Sequence, residues 1–164
     1  MELNAKQDID VPIDFVYASM VDFSAHERRA TAAGYTLKRD VAGPEVWSWS
    51  VRFEWRGRLR DLQFSAGDFQ KPEHFALSGK SENIDLYVDV KLIRLAPSLT
   101  RVRLKMSLKG KSLKARLMIQ SARLAKKTVI KRLASRMRGV AREIEFDYLQ
   151  ACRRDAELRS RVDA

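Results

Sequence analysis

Between Val46 and Leu108 apolar side chains recur at every second position in four successive runs, and then the period changes. In Val46–Trp55, the residues Trp47, Trp49, Val51, Phe53 and Trp55 share one face, and Ser48, Ser50, Arg52 and Glu54 the other. Leu59–Phe69 keeps Leu62, Phe64 and Ala66 in phase. Ile84–Leu92 does the same with Ile84, Leu86, Val88, Val90 and Leu92. Val102, Leu104, Met106 and Leu108 alternate with Arg101, Arg103, Lys105 and Lys109. Successive strand side chains point to opposite faces, so each run is a half-buried antiparallel strand with one polar face. Turns at Arg56-Gly57, Lys71-Pro72-Glu73 and Ala96-Pro97-Ser98 separate the runs. After Gly110 the period becomes helical and stays so to about Leu149. One apolar sheet face and one long helical segment to cover it define an α+β chain.

The first forty residues add a strand and two short helices. Leu3, Ala5, Gln7 and Ile9 share one face of a first strand. Pro12 stands where a helix can begin, ahead of Phe15, Ala18 and Met20. Ser24 is a suitable N-cap for a second short helix, which Gly34 can stop. With short strands at Tyr35–Asp40 and His74–Lys80, the sheet has about seven strands.

The helical segment carries two apolar stripes. Ile130, Leu133, Met137, Val140, Ala141, Ile144 and Tyr148 form one, and Leu113, Leu117 and Leu124 form another on a different face. One straight helix cannot bury both against one sheet, so a break is expected between about Gln120 and Thr128. The later piece then packs on the sheet. The earlier piece meets a pocket rim, a dimer partner or a membrane, or else covers a sheet edge. Residues 1–150 read as one domain and 151–164 as a charged tail or helix extension.

The formal charge of the 164 residues is +11, and its location is informative. From Lys109 to Arg142 there are twelve Lys or Arg and no Asp or Glu, so the rest of the chain is close to neutral. An exposed helix is usually stabilised by acid–base pairs one turn apart, and this one has none to offer. Lys126, Lys127, Lys131, Arg132, Arg136, Arg138 and Arg142 are the candidates for contact with an anionic surface. A merely solvated basic face is the competing reading. No apolar stretch is long enough for a membrane span, and MELNAKQDID lacks the basic and apolar regions of a secretory signal. Cys152 is the only cysteine, which excludes an internal disulfide and fits a reducing compartment. A cytoplasmic location is expected, or a peripheral one on a membrane.

Ile9-Asp10-Val11-Pro12-Ile13-Asp14-Phe15-Val16-Tyr17, followed by Met20-Val21-Asp22-Phe23, resembles the opening of the START-like (SRPBCC) superfamily. That group includes polyketide cyclase/dehydrase and lipid-transport proteins and the birch-pollen allergen. The element order extends the resemblance over nearly the whole chain. It implies a helix-grip fold, in which a curved antiparallel sheet wraps a long C-terminal helix, with two short helices after the first strand. An apolar cavity between sheet and helix is part of that implication.

Such a cavity would be lined by Trp47, Trp49, Phe53, Trp55, Phe64, Leu86, Val88, Leu104 and Met106 from the sheet. Met137, Val140 and Ala141 would face them from the helix. Arg60 shares parity with Leu62 and Phe64 and could hold an anionic head group. An aromatic stripe at period two is also the ordinary signature of a packed core. His26 and His74 have no metal-ligand spacing and read as surface residues. No nucleophile elbow, phosphate loop or dinucleotide fingerprint is present, so no catalytic residue, metal or cofactor is expected. Three functions remain: binding or transport of a hydrophobic lipid-like or aromatic molecule, with the basic segment docked on an anionic surface; a polyketide cyclase/dehydrase-type enzyme using the same cavity; and nucleic-acid binding through residues 109–142. The last is the weakest, because that segment has no aromatic residue and no base-reading pattern.

Overall fold

In the computed structural model, residues 1–55 and 57–162 are described, and of Trp55 only the backbone. The seven alternating segments form β1 (Glu2–Ile9), β2 (Thr36–Ala42), β3 (Val46–Trp55), β4 (Arg58–Gln70), β5 (His74–Lys80), β6 (Ile84–Ala96) and β7 (Leu99–Gly110). They make one antiparallel sheet in the order β1-β7-β6-β5-β4-β3-β2. The long connection from β1 to the opposite edge is made by α1 (Ile13–Met20) and α2 (Phe23–Ala32). Register aligns the apolar face: Trp47 pairs with Ala66, Ala66 with Leu77, Leu77 with Val88, Val88 with Met106 and Met106 with Leu3.

The helices start and stop for local reasons. Pro12 precedes α1, and its carbonyl accepts from the Phe15 and Val16 N–H groups. Asp22, not Ser24, caps α2: its carboxylate accepts from the Ala25 N–H at 3.0 Å. A carboxylate at a helix N-terminus also opposes the helix dipole, which a serine hydroxyl does not. Gly34, at φ +91°, lets the chain leave α2, as only glycine does without strain. Ser112 caps α3 (Leu113–Leu124) through the Ala115 N–H at 3.1 Å. Ala125 then ends α3, and α4 (Lys126–Val162) begins. The break falls inside the expected interval.

Two clusters hold the sheet's apolar face. In the larger, Ile9, Val11, Val16, Tyr17, Phe75, Val90 and Val102 pack under Met137, Ala141 and Ile144 of α4. In the smaller, Phe23 of α2 packs on Trp49 and Ala66, with Trp47, Val51 and Phe64 around them. α4 thus covers the β1 side of the sheet and α2 the β2–β4 side. α3 packs Ala115 and Ile119 inward. Its start lies against Gly110, where a Cβ would be 2.8 Å from the Arg116 backbone nitrogen. Among the described residues no helix is long and apolar enough to cross a membrane.

Candidate ligand cavity

Two covering elements on one curved face leave space between them. α2 on one side, α4 on the other and the central strands below enclose a cavity of about 580 Å³. That volume lies within the ~300–1,000 Å³ range of small-molecule sites. Its walls are predominantly apolar: Phe64, Phe75, Leu77, Leu86, Val88, Leu104 and Met106 from the sheet, with Phe23 and Trp49 at the α2 end. Val140 and Ile144 line it from α4.

Seven of the expected cavity residues meet here: Trp49, Phe64, Leu86, Val88, Leu104, Met106 and Val140. The others have different places. Trp47 has the right parity, but it stacks on Trp49, meets Phe23, and lies beneath the Arg39 guanidinium, outside the cavity wall. Met137 and Ala141 are buried in the larger core cluster and do not line the cavity. Phe53 and Arg60 pair across β3 and β4 near the hairpin tip. There they line a second cleft of about 790 Å³, far along the strands from α2. The Trp55 side chain lies outside the described residues. Lys126, Lys127, Lys131, Arg132, Arg136, Arg138 and Arg142 are all exposed.

The residues missed by periodicity come mostly from α2. Asp22, His26, Glu27, Arg29 and Ala30 line the cavity, with Glu143 and Asp147 opposite them on α4. Nothing in a short, mostly polar helix signals that it stands over a sheet. The polar groups form a tied set. Glu27 accepts from the Trp49 indole N–H at 2.6 Å and from the Arg39 guanidinium N–H at 2.7 Å. The Arg39 bonds, with those of Trp49 and opposed by partial burial, hold the Glu27 carboxyl below the usual carboxylate range. The His26 ring nitrogen Nε2 is 3.0 Å from the Met20 carbonyl. Arg29 bridges the mouth, 3.4 Å from Glu143 and 4.0 Å from Asp147.

His74 is not at the surface. It is 8% exposed, with Nε2 2.6 Å from the Asp89 carboxylate and Nδ1 3.1 Å from the Asp68 carbonyl. It sits at the start of β5, away from the cavity lining, and serves the fold.

The fold is shared with solved structures. The Zhui aromatase/cyclase of a Streptomyces species aligns with a TM-score of 0.63 at 12% identity, covering 88% of this chain and 93% of that one. The chain has the helix-grip fold. TTHA0849 of Thermus thermophilus aligns with a TM-score of 0.65 at 12% identity, over 88% of this chain and 97% of its own. Ara h 8.0201 aligns with a TM-score of 0.59 at 9% identity, over 92% and 98% of the two chains. No protein-family model and no curated protein matches the sequence. At these identities the likeness is one of fold, and helix-grip architecture alone does not specify an activity.

Proposed function

We propose that this helix-grip protein binds or carries a hydrophobic small molecule, lipid-like or aromatic, in the cavity between α2 and α4, and docks its basic segment on an anionic surface. The observation that carries the reading is the cavity itself: apolar walls from six strands and three helices around about 580 Å³. An aromatic cluster of Phe23, Trp49 and Phe64 at one end suits a flat or branched apolar ligand.

The reading is non-enzymatic because the carboxylates on the wall are tied to structural partners and, among the described residues, only one ring nitrogen of His26 is left without one. Asp22 caps α2, and His26 bonds the Met20 carbonyl. Glu27 holds Arg39 and Trp49, while Arg29, Glu143 and Asp147 pair across the mouth. A general acid or base must be free to exchange a proton with substrate. The aromatase/cyclase among the similar structures favours a cyclising enzyme as the second reading, and His26, with one ring nitrogen bonded to the Met20 carbonyl and the other without a partner among the described residues, is the group it would use.

Native mass spectrometry of gently purified protein tests the proposal. A retained hydrophobic molecule, or uptake of one added fatty acid or polycyclic aromatic compound per chain, is expected. A ligand-free spectrum under all of these conditions counts against it.

A further inference from the structure

The sequence directs attention to the cations of α4, but the geometry points to α3. On a helix turning about 100° per residue, Leu113, Leu117 and Leu124 fall on one side, opposite Ala115 and Ile119. Ala115 and Ile119 pack inward, so the leucines project away from the protein, and they are 74%, 60% and 94% exposed. Lys114 flanks this stripe on one side, and Arg116 and Arg123 on the other. The helix carries no acid. Among the described residues, Lys111 is the only one of the twelve basic residues of this segment in an ion pair, with Asp85.

A second element lies beside the Lys114 flank of α3. The cleft lined by Phe53, Arg60 and Leu62 is closed on its other side by Lys114 and Met118 of α3. Leu59, at the β3–β4 hairpin, is 71% exposed on its rim. Leu59, between Arg58 and Arg60, stands on the β4 lip of this cleft, with Asp61 and Glu82 also in its wall, and the leucine stripe of α3 lies outside it.

We propose that the outer face of α3 docks on an anionic lipid bilayer, with Leu113, Leu117 and Leu124 seated among the acyl chains and Lys114, Arg116 and Arg123 at the head groups. The pattern is that of an interfacial helix, an apolar stripe with basic flanks. Long basic side chains cover apolar surface while their charge stays in water, so they suit the border of such a stripe. A second copy of the chain is a poor occupant, because a symmetric contact sets Lys114, Arg116 and Arg123 against like charges with no acid on the helix to pair them. Nucleic acid has use for the cations and none for the leucines. The proposal deepens the functional reading above and rests on it only for what would pass between bilayer and protein.

Vesicle flotation with the full chain tests it, using phosphatidylcholine alone and phosphatidylcholine with ~30% phosphatidylglycerol. Binding to the anionic vesicles is expected to exceed that to neutral ones by about ten-fold or more and to weaken as salt rises. The double variant Leu113→Ser, Leu117→Ser keeps the charge and alters only exposed positions. It is expected to lose about ten-fold in anionic vesicle binding while its circular dichroism and melting curve stay those of the parent. Equal binding to both vesicle types, unchanged binding of the double variant, or a duplex DNA shift at low salt without vesicle binding overturns the proposal. Uptake of a fluorescent apolar dye into the cavity is measured in parallel on the same samples. Dye uptake without vesicle binding refutes the docking face alone, and vesicle binding without dye uptake refutes the cavity reading alone.

Discussion

Replacing Glu27 with alanine removes the acceptor that holds Trp49 in the cavity wall. The indole N–H is 2.6 Å from the Glu27 carboxylate, and Trp49 is only 4% exposed. Without Glu27 that donor is left buried and unpaired, which costs about 1–3 kcal/mol. The Arg39 pair, exposed to solvent on one side, adds a smaller share. A domain of this size loses about 2–4 °C of Tm per kcal/mol, so a clear drop is expected. Glu27→Gln keeps an oxygen acceptor for the indole and gives up the charge, so it is expected to retain most of the stability. Thermal melts followed by Trp emission separate the two. Equal losses in both variants, or no loss in Glu27→Ala, would refute the reasoning. The pH dependence has a definite sign. Glu27 is held below the usual carboxylate range in the folded state, chiefly by Arg39. Its contribution is therefore present above the unfolded carboxylate pKa and is lost as pH falls through the lower folded value. Acid destabilisation at and below the usual carboxylate range is expected to be smaller in Glu27→Gln than in the parent.

Three further substitutions test other parts of the account. Gly110→Ala sets a Cβ 2.8 Å from the Arg116 backbone nitrogen, so α3 must shift, with an expected loss of about 1–3 kcal/mol in denaturant melts. Gly139→Ala sits in open space on the exposed face of α4 and is expected to stabilise by about 0.5–1 kcal/mol in the same melts. His74→Ala removes the partner of Asp89 and Asp68 beneath the sheet, and is expected to lower Tm clearly without altering dye uptake by the cavity.

Much of the helix-grip architecture was legible because period two and period 3.6 are local signals. The strand faces follow from Trp49, Phe64, Leu86, Val88 and Met106, and those side chains do line the cavity. The break at Ala125 follows from two apolar stripes that no single straight helix can bury. What was not legible depends on tertiary placement. Parity assigns Trp47 and Trp49 to the same face, but only the position of Phe23 and Arg39 decides that Trp47 turns aside. Phe53 and Arg60 have the parity of the lining, yet they lie beyond the reach of α2 and near α3 instead. Asp22 outcompetes Ser24 for the cap by geometry at the turn, which a list of favourable caps does not resolve. His74 is polar and on the outer face, and it is covered only because the chain around Asp68 folds back over it.

The central claim is that the space between α2 and α4 takes an apolar ligand, and titration with N-phenyl-1-naphthylamine tests it most directly. Leu86 lies in the cavity wall and is half-buried, so Leu86→Trp fills space there with little demand on the core. Saturable dye fluorescence with one site per chain is expected for the parent, and a loss of about ten-fold or more in affinity, roughly 1.4 kcal/mol, for Leu86→Trp at unchanged Tm. Absence of binding by the parent, or the same affinity in a folded Leu86→Trp variant, would contradict the account.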